Sequence, residues 1–111
     1  MNLDNINKVL FERIRQVRKG YSKEHDLTYK NDELVRAAIV YLAAAINNGT
    51  CRKNVFDSNW LFPAESYHYE GRESSIIKAA AFLVAELDRL AALPEEEKPA
   101  EKTRTKKEKK N

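Results

Sequence analysis

Arg13 is the residue of this sequence that most strongly suggests chemistry. It lies within an apolar stripe at helical spacing, four residues after Val9 and four before Val17. A guanidinium on an apolar face needs a partner, because an unpaired buried charge is strongly destabilising. The partner is either a carboxylate or a bound anion such as phosphate, whose oxygens match the planar guanidinium fork. Three carboxylates are candidates for a structural salt bridge: Asp26, Glu33 and Glu86.

A polar segment after the first predicted helix places three further reactive side chains together, Glu24, His25 and Asp26. They could supply metal ligands or a general base. Their spacing matches no specific metal site, and the alternative is that His25 caps or packs against a helix. His68, between Tyr67 and Tyr69, is open to the same two interpretations.

Aromatic side chains are concentrated between residues 50 and 72, where Trp60, Phe62, Tyr67 and Tyr69 lie. Such rings either stack on a flat ligand such as a nucleobase or seal the helices as a lid. Arg72 and Lys78 follow at the start of the third predicted helix, where the helix dipole favours an anion. Lys78 therefore contacts a phosphate or simply lies on a solvated face.

These residues define a candidate ligand site without a recognisable catalytic motif. The chain has no glycine-rich phosphate loop, no nucleophile elbow and no HExxH sequence. We therefore predict no catalytic residue, no metal ligand and no cofactor. The candidate ligand-binding residues are Arg13, Gln16, Tyr21, Glu24, His25, Asp26, Trp60, Tyr67, Arg72 and Lys78.

The elements that must position these side chains are helices, and the central one is the segment Glu33 to Ile46. It is apolar on nearly every side except at Arg36, and it is too short to span a bilayer. We therefore predict that it is the buried centre of an all-α bundle of three main helices. Asn47-Asn48-Gly49 provides strong turn chemistry at its end.

Two amphipathic helices are predicted around this centre. The first runs from Asp4, as N-cap, to Lys19, and the third from Glu73 to Leu93, before Pro94. Residues 50–72 form a long aromatic connection that we expect to pack down, with a short helical turn. The predicted core stripe of the first helix is Ile6, Val9, Leu10, Ile14 and Val17, and that of the third is Ile76, Ala80, Leu83, Leu87 and Leu90. The opposite face of the third helix carries Lys78, Phe82, Glu86 and Arg89.

Composition divides the chain into a helical domain, 1–93, and a charged tail, 94–111, that is predicted to be disordered. Seven of the 20 Lys and Arg residues and five of the 17 Asp and Glu residues lie in the tail. The remaining 13 and 12 make the domain nearly neutral, which argues against a nucleic-acid-binding face. A single Cys51 excludes an internal disulfide, and no signal peptide is evident, so we expect a cytoplasmic protein with no membrane partner. The small core and the off-stripe residues Phe11 and Phe82 suggest a homo-oligomer.

The order of several motifs resembles a family of small phage- and prophage-encoded proteins. They are Glu12-Arg13-x-Arg15-Gln16, Lys19-Gly20-Tyr21-x-x-Glu24-His25-Asp26, Glu33-Leu34-x-x-Ala37-Ala38 with Tyr41, Trp60, Arg72-Glu73, Ile77-Lys78-Ala79 and Ala85-Glu86-Leu87-x-Arg89-Leu90. Together they cover nearly all of residues 10–90. The resemblance implies an accessory role in a phage, in the host cytoplasm, rather than a particular reaction.

The ERxRQ opening is more distantly similar to that of the all-α, MazG-like nucleotide pyrophosphohydrolases. Those enzymes hold Mg²⁺ with paired glutamates on one helix and a Glu-x-x-Asp on another. This chain departs from that pattern, because Glu86 and Asp88 point to different sides of a helix and Glu33 has no acidic partner one turn on.

Three functions follow from these patterns. The first is a protein that binds, and in a phage sequesters, a phosphorylated nucleotide-like molecule such as a host immune signal, which would make it an anti-defence protein. The second is a Mg²⁺-dependent nucleotide pyrophosphohydrolase. The third is a protein-interaction module without a small ligand.

Overall fold

A computed structural model describes residues 1–19 and 29–98 of the 111-residue chain, and within them every regular element is helical. The α-helices of these ranges are α1 (Leu3–Arg18), α2 (Glu33–Ile46), α3 (Lys53–Asn59) and α4 (Arg72–Ala92). Two short 3-10 turns, Ala64–Ser66 and Glu95–Glu97, complete them. The all-α prediction is confirmed. Within the described ranges, no helix has the length and apolarity that a bilayer-spanning segment needs.

The packing is organised around α2 and α4, which form the largest helix pair, while α1 lies against α4. Alanine dominates the α2–α4 contact, since Ala37, Ala38, Ala79 and Ala85 all belong to the buried core cluster. Small side chains let two helix backbones approach closely. Lys8 of α1 pairs with Glu73 of α4 at 2.8 Å and ties the outer helix to the seam.

Residues 50–71, which we call the aromatic segment, pack down onto α2 and α4 as predicted. The short helix within this segment is α3. Arg36 of α2 fastens the end of that helix by donating to the Asn59 side chain at 3.0 Å and, more weakly, to the Ser58 carbonyl at 3.5 Å. The Trp60 indole donates to the Pro63 carbonyl at 3.0 Å, which fixes the turn that follows.

The helix boundaries agree with the sequence to within a residue or two, but the first cap differs. Asn2, rather than Asp4, is the N-cap of α1, and its side chain accepts the Asp4 N–H at 2.8 Å. Asp4 instead lies in the first turn, where its charge favours the helix dipole. Beyond Pro94 the Glu95–Glu97 turn is regular, and residues 99–111 of the predicted disordered tail lie outside the described residues.

Both outer helices turn a different face inward from the one the sequence predicts. Four of the five residues of the predicted α1 stripe are exposed, namely Ile6, Leu10, Ile14 and Val17, whereas Arg13 and Gln16 are buried. On α4 the exposed side chains include Ile76, Leu83 and Leu87. The face predicted to lie opposite the core is the buried one: Lys78, Phe82 and Glu86 are buried, and Arg89 is partly buried. The physical reason is that this face contains the alanines that fit the α2 seam, and its charged groups have partners.

Arg89 and Glu86 show how such charges are accommodated inside the fold. The Arg89 guanidinium donates two hydrogen bonds to the Glu86 carboxylate, at 2.8 and 2.9 Å. It also donates to the Tyr29 carbonyl at 3.4 Å, at the point where the chain enters α2. A bidentate pair one helical turn apart leaves neither charge unpaired, so this polar side of α4 can lie inside.

The turn after α2 requires glycine. Asn48 and Gly49 both have positive φ angles, and the Gly49 N–H donates to the Ala44 carbonyl at 2.7 Å, closing the helix end. A Cβ atom added at Gly49 would lie 2.8 Å from a ring atom of Tyr69.

We expect Gly49→Ala to lower the free energy of unfolding by about 1–3 kcal/mol, because alanine is strained at this φ and would press on the Tyr69 ring. Chemical denaturation followed by circular dichroism measures the change. Gly71→Ala is the matched control, since Gly71 also has a positive φ but open space around its Cα. Equal losses in the two variants would show that the Tyr69 contact contributes nothing.

Candidate functional site

A cavity of about 190 Å³ lies between the C-terminal half of α1, the middle of α4 and the aromatic segment. We call it the interhelical cavity. Among the described residues its lining is Glu12, Arg15, Gln16, Lys19, Tyr41, Trp60, Ser66, His68, Glu70, Lys78 and Phe82. The wall combines three basic side chains, two carboxylates and three aromatic rings. It is smaller than the 300 Å³ or more typical of pockets that enclose a whole drug-sized ligand.

Lys78 is the buried cation of this cavity, with only 4% of its surface exposed. Its ammonium donates to the His68 carbonyl and pairs with a Glu70 carboxylate oxygen, both at 2.8 Å. It also lies 5.4 Å from the centre of the Tyr41 ring, within the range of a cation–π contact. The prediction that Lys78 lies on a solvated face is therefore wrong, and its alternative as an anion contact stays a prediction.

The carboxylate that neutralises Lys78 is itself a surface group. The Glu70 side chain is 65% exposed, and its hydrogen bond to Lys78, followed by the charge of Lys78, lowers its pKa. An exposed carboxylate can rotate away without losing a packed environment. Lys78 is therefore a buried positive charge whose counter-ion is exchangeable.

Gln16 is the most unusual residue in the wall. It is 3% exposed, and within the described residues neither its amide nitrogen nor its amide oxygen has a hydrogen-bond partner. Leaving a buried polar group unsatisfied costs about 1–3 kcal/mol. Gln16 is one of the wall residues, so a change of its side-chain rotamer would bring an amide donor and an amide acceptor to whatever enters the cavity.

Arg15 and Lys19 extend the positive charge from the cavity toward solvent. Arg15 donates two hydrogen bonds to Glu12, at 2.9 and 2.6 Å, and this pairing raises the pKa of its guanidinium. Lys19 follows one turn later at the end of α1. With His68 neutral, the three cations and two carboxylates of the described wall leave one net positive charge.

The aromatic floor of the cavity is already packed. Trp60 is 6% exposed, and its ring meets those of Tyr41 and Tyr67 edge-on at centroid distances of 5.6 and 5.5 Å. Phe56 stacks on it at 6.1 Å. The Tyr41 hydroxyl accepts the His68 N–H at 3.1 Å, so the floor also positions the segment above it. Most of the surface of these rings therefore contacts other rings of the protein, as expected if they seal the helices as a lid.

The predicted ligand residues divide into four groups. Gln16, Trp60 and Lys78 meet at the interhelical cavity. Arg13 is buried as predicted, yet the described lining does not include it. Tyr67 lies in the aromatic cluster, where burial raises the pKa of its hydroxyl, and Arg72 lines a different groove between α1 and α4. Tyr21, Glu24, His25 and Asp26 lie outside the described residues.

The sequence interpretation missed Arg15, Lys19 and Glu70 as wall residues. The apolar spacing of the first helix predicts that Arg15 and Lys19 point outward, away from the stripe that contains Val9 and Ile14. In the structure α1 is turned about its axis relative to this prediction, so that Arg13 and Gln16 face inward and Arg15 and Lys19 line the cavity. Among the described residues no three His, Cys, Asp or Glu side chains lie together in a way that could hold a metal ion.

No protein-family model, curated protein or solved structure matches this chain. The relation to small phage proteins therefore stays an expectation from the sequence motifs.

We expect acid to weaken the fold partly through Glu70. Its folded-state pKa lies below the ordinary value of 4.5, so the contribution of its pair with Lys78 is present above that value and is lost as the pH falls through the folded pKa. Between about pH 6 and about pH 3, wild type should lose more stability than Glu70→Gln, which never carries this charge. Parallel losses in denaturant unfolding would contradict the assignment.

Proposed function

We propose that this protein binds a small phosphorylated, nucleotide-like molecule in the interhelical cavity. The observation that carries the proposal is the buried Gln16 amide, which has no partner among the described residues and belongs to the same cavity wall as the buried Lys78. A donor–acceptor pair next to a cation matches a ligand with a base or sugar edge and a phosphate nearby. A glutamine amide can make two hydrogen bonds with an adenine edge.

The size and charge of the cavity define how such a ligand would sit. A volume of about 190 Å³ accommodates one part of a nucleotide, with the remainder at the rim beside Arg15 and Lys19. A phosphate oxygen would take the place of the Glu70 carboxylate on Lys78. That exchange replaces one anion by another, so the buried ammonium stays paired throughout.

Sequestration fits this arrangement better than hydrolysis does. Both carboxylates of the described wall are engaged in ion pairs, Glu12 with Arg15 and Glu70 with Lys78, which supports a role in holding a ligand. The resemblance to phage proteins supports the idea that the ligand is a signal of host defence. We also propose that the chain works as a homo-oligomer, although Phe82 does not contribute to that argument, because it is buried in the core cluster.

Thermal-shift measurements with inorganic phosphate, nucleoside mono- and triphosphates, and cyclic mono- and dinucleotides test the proposal. A ligand at about 100 times its Kd should stabilise the fold by about 2.7 kcal/mol. Chromatography of the released ligand should return it intact. Release of pyrophosphate from a nucleoside triphosphate with Mg²⁺ would favour the hydrolase alternative, and no shift with any compound would favour the interaction module.

Gln16→Met distinguishes two effects of the Gln16 amide: the stability lost by burying it unpaired, and the hydrogen bonds that it would make to a ligand. Methionine has a similar shape and no group that needs a hydrogen bond, so we expect the ligand-free variant to be about 1–2 kcal/mol more stable than wild type. The same variant should lose the thermal shift produced by the ligand. A variant that is less stable without ligand would contradict the unpaired state of Gln16.

Two substitutions at the ion pair should act in opposite directions. Glu70→Gln removes the competing carboxylate, so we expect tighter binding of an anionic ligand, by about tenfold for a gain near 1.4 kcal/mol. Lys78→Met removes the cation and should abolish binding. Isothermal titration measures both. Weaker binding by Glu70→Gln would show that the ligand does not replace Glu70.

A further inference from the structure

Large aliphatic side chains lie on the surface of this fold, and alanines fill its interior. Of the twelve hydrophobic residues that are buried, seven are alanine. Fifteen large hydrophobic residues are exposed within the described ranges. Single exposed hydrophobics are ordinary, but soluble monomers rarely carry them in a contiguous set of this kind.

Most exposed residues of α2 and α4 are aliphatic, although α4 begins with the exposed, charged Arg72 and Glu73. Within α2 every exposed residue is aliphatic: Ile39, Leu42 and Ile46. Between Ile76 and Ala91 of α4, one exposed residue is charged, Asp88. The others in that stretch are Ile76, Leu83, Val84, Leu87 and Ala91. A helix that faced water alone would have polar side chains at such positions.

The apolar surface of α4 has the spacing of a helix–helix seam. Ile76, Ala80, Leu83 and Leu87 follow one another at intervals of four, three and four residues. We call these four residues the α4 stripe. This spacing keeps one side of a helix against a partner helix over several turns, and the half-exposed Ala80 leaves a gap between larger neighbours.

The α4 stripe continues onto α1. A groove of about 420 Å³ between the two helices adjoins the stripe, since Ile76 and Ala80 belong to its lining. Val9 of α1 and Ile77 of α4 add apolar surface to this groove, and Asn5, Arg72 and Glu73 add polar and charged groups. The stripe therefore reaches α1 at a groove that also carries charge.

We propose that a second copy of this chain covers the α4 stripe across a two-fold axis, so that two α4 helices pack against each other. An isologous contact of this kind needs a surface that complements itself, and the four residues of the α4 stripe carry no charge that would face its own copy. Homodimer interfaces resemble a hydrophobic core cut in half, whereas other specific interfaces carry more polar groups.

The size of the chain favours this occupant. A domain of about 100 residues buries a limited fraction of its surface, and here that interior is built mostly of alanine side chains, which contribute little apolar area. A standard interface removes about 800 Å² from each partner, and the exposed aliphatic side chains of α4 are apolar surface available to such a contact. The dimer thus provides the second core that the single chain lacks.

Light scattering after size-exclusion chromatography tests the proposal with the full chain. Wild type should show at least twice the 12.8 kDa of one chain, and the double substitution Leu83→Glu with Leu87→Glu should reduce the mass to 12.8 kDa. Leu61→Glu is the matched control, because Leu61 is an equally exposed leucine in the aromatic segment, and this variant should keep the wild-type mass.

Cross-linking provides a second readout that does not require a charge in the interface. In a Cys51→Ser background, a short bis-maleimide should join two copies of Leu83→Cys or Leu87→Cys, and it should not join Leu61→Cys. A wild type that is monomeric, or an oligomer that keeps its mass in the double variant with unchanged circular dichroism, would overturn the proposal. Binding of monomeric wild type to neutral phosphatidylcholine vesicles would also overturn it, since a membrane would then be the occupant.

Discussion

The close approach of α2 and α4 through their alanine side chains is the constraint on which this structure depends. Ala37 and Ala38 on one helix and Ala79 and Ala85 on the other are almost completely buried in one core cluster. Because alanine buries little area, the seam gains its stability from tight packing rather than from bulk. Larger rings then close it at one end, where Tyr41 and Phe82 stack at 6.2 Å.

The interhelical cavity is a consequence of this seam. The side of α4 that fits the alanines of α2 also carries Lys78 and Glu86, so two charges enter the interior together with the small residues. Glu86 is neutralised by Arg89 of the same helix, while Lys78 relies on Glu70 from the aromatic segment. The two pairs differ in exposure: both side chains of the Glu86–Arg89 pair are largely buried, whereas in the Lys78–Glu70 pair the Glu70 side chain faces solvent.

Much of this architecture could be predicted from sequence patterns. The limits of α2 and the turn at Gly49 follow from local chemistry, namely an apolar run and turn residues. Arg13 is buried as predicted, although the apolar stripe from which its burial was predicted is mostly exposed. The inner faces of α1 and α4 could not be predicted. Ile76 and Leu83 are typical core residues, and a single-chain pattern does not tell whether a stripe packs within the chain or against a neighbour. The alanines at 79, 81 and 85 were the available signal for the true seam.

Trp60 is the only tryptophan in the chain, and it lies in the wall of the interhelical cavity, shielded on its other sides by Tyr41, Phe56 and Tyr67. Its intrinsic fluorescence therefore originates from one known place in the molecule. Emission intensity and wavelength depend on the polarity next to the indole. A molecule that enters the cavity would change that polarity on the side of the ring that faces the cavity. The protein thus carries a built-in optical probe of occupancy that needs no label.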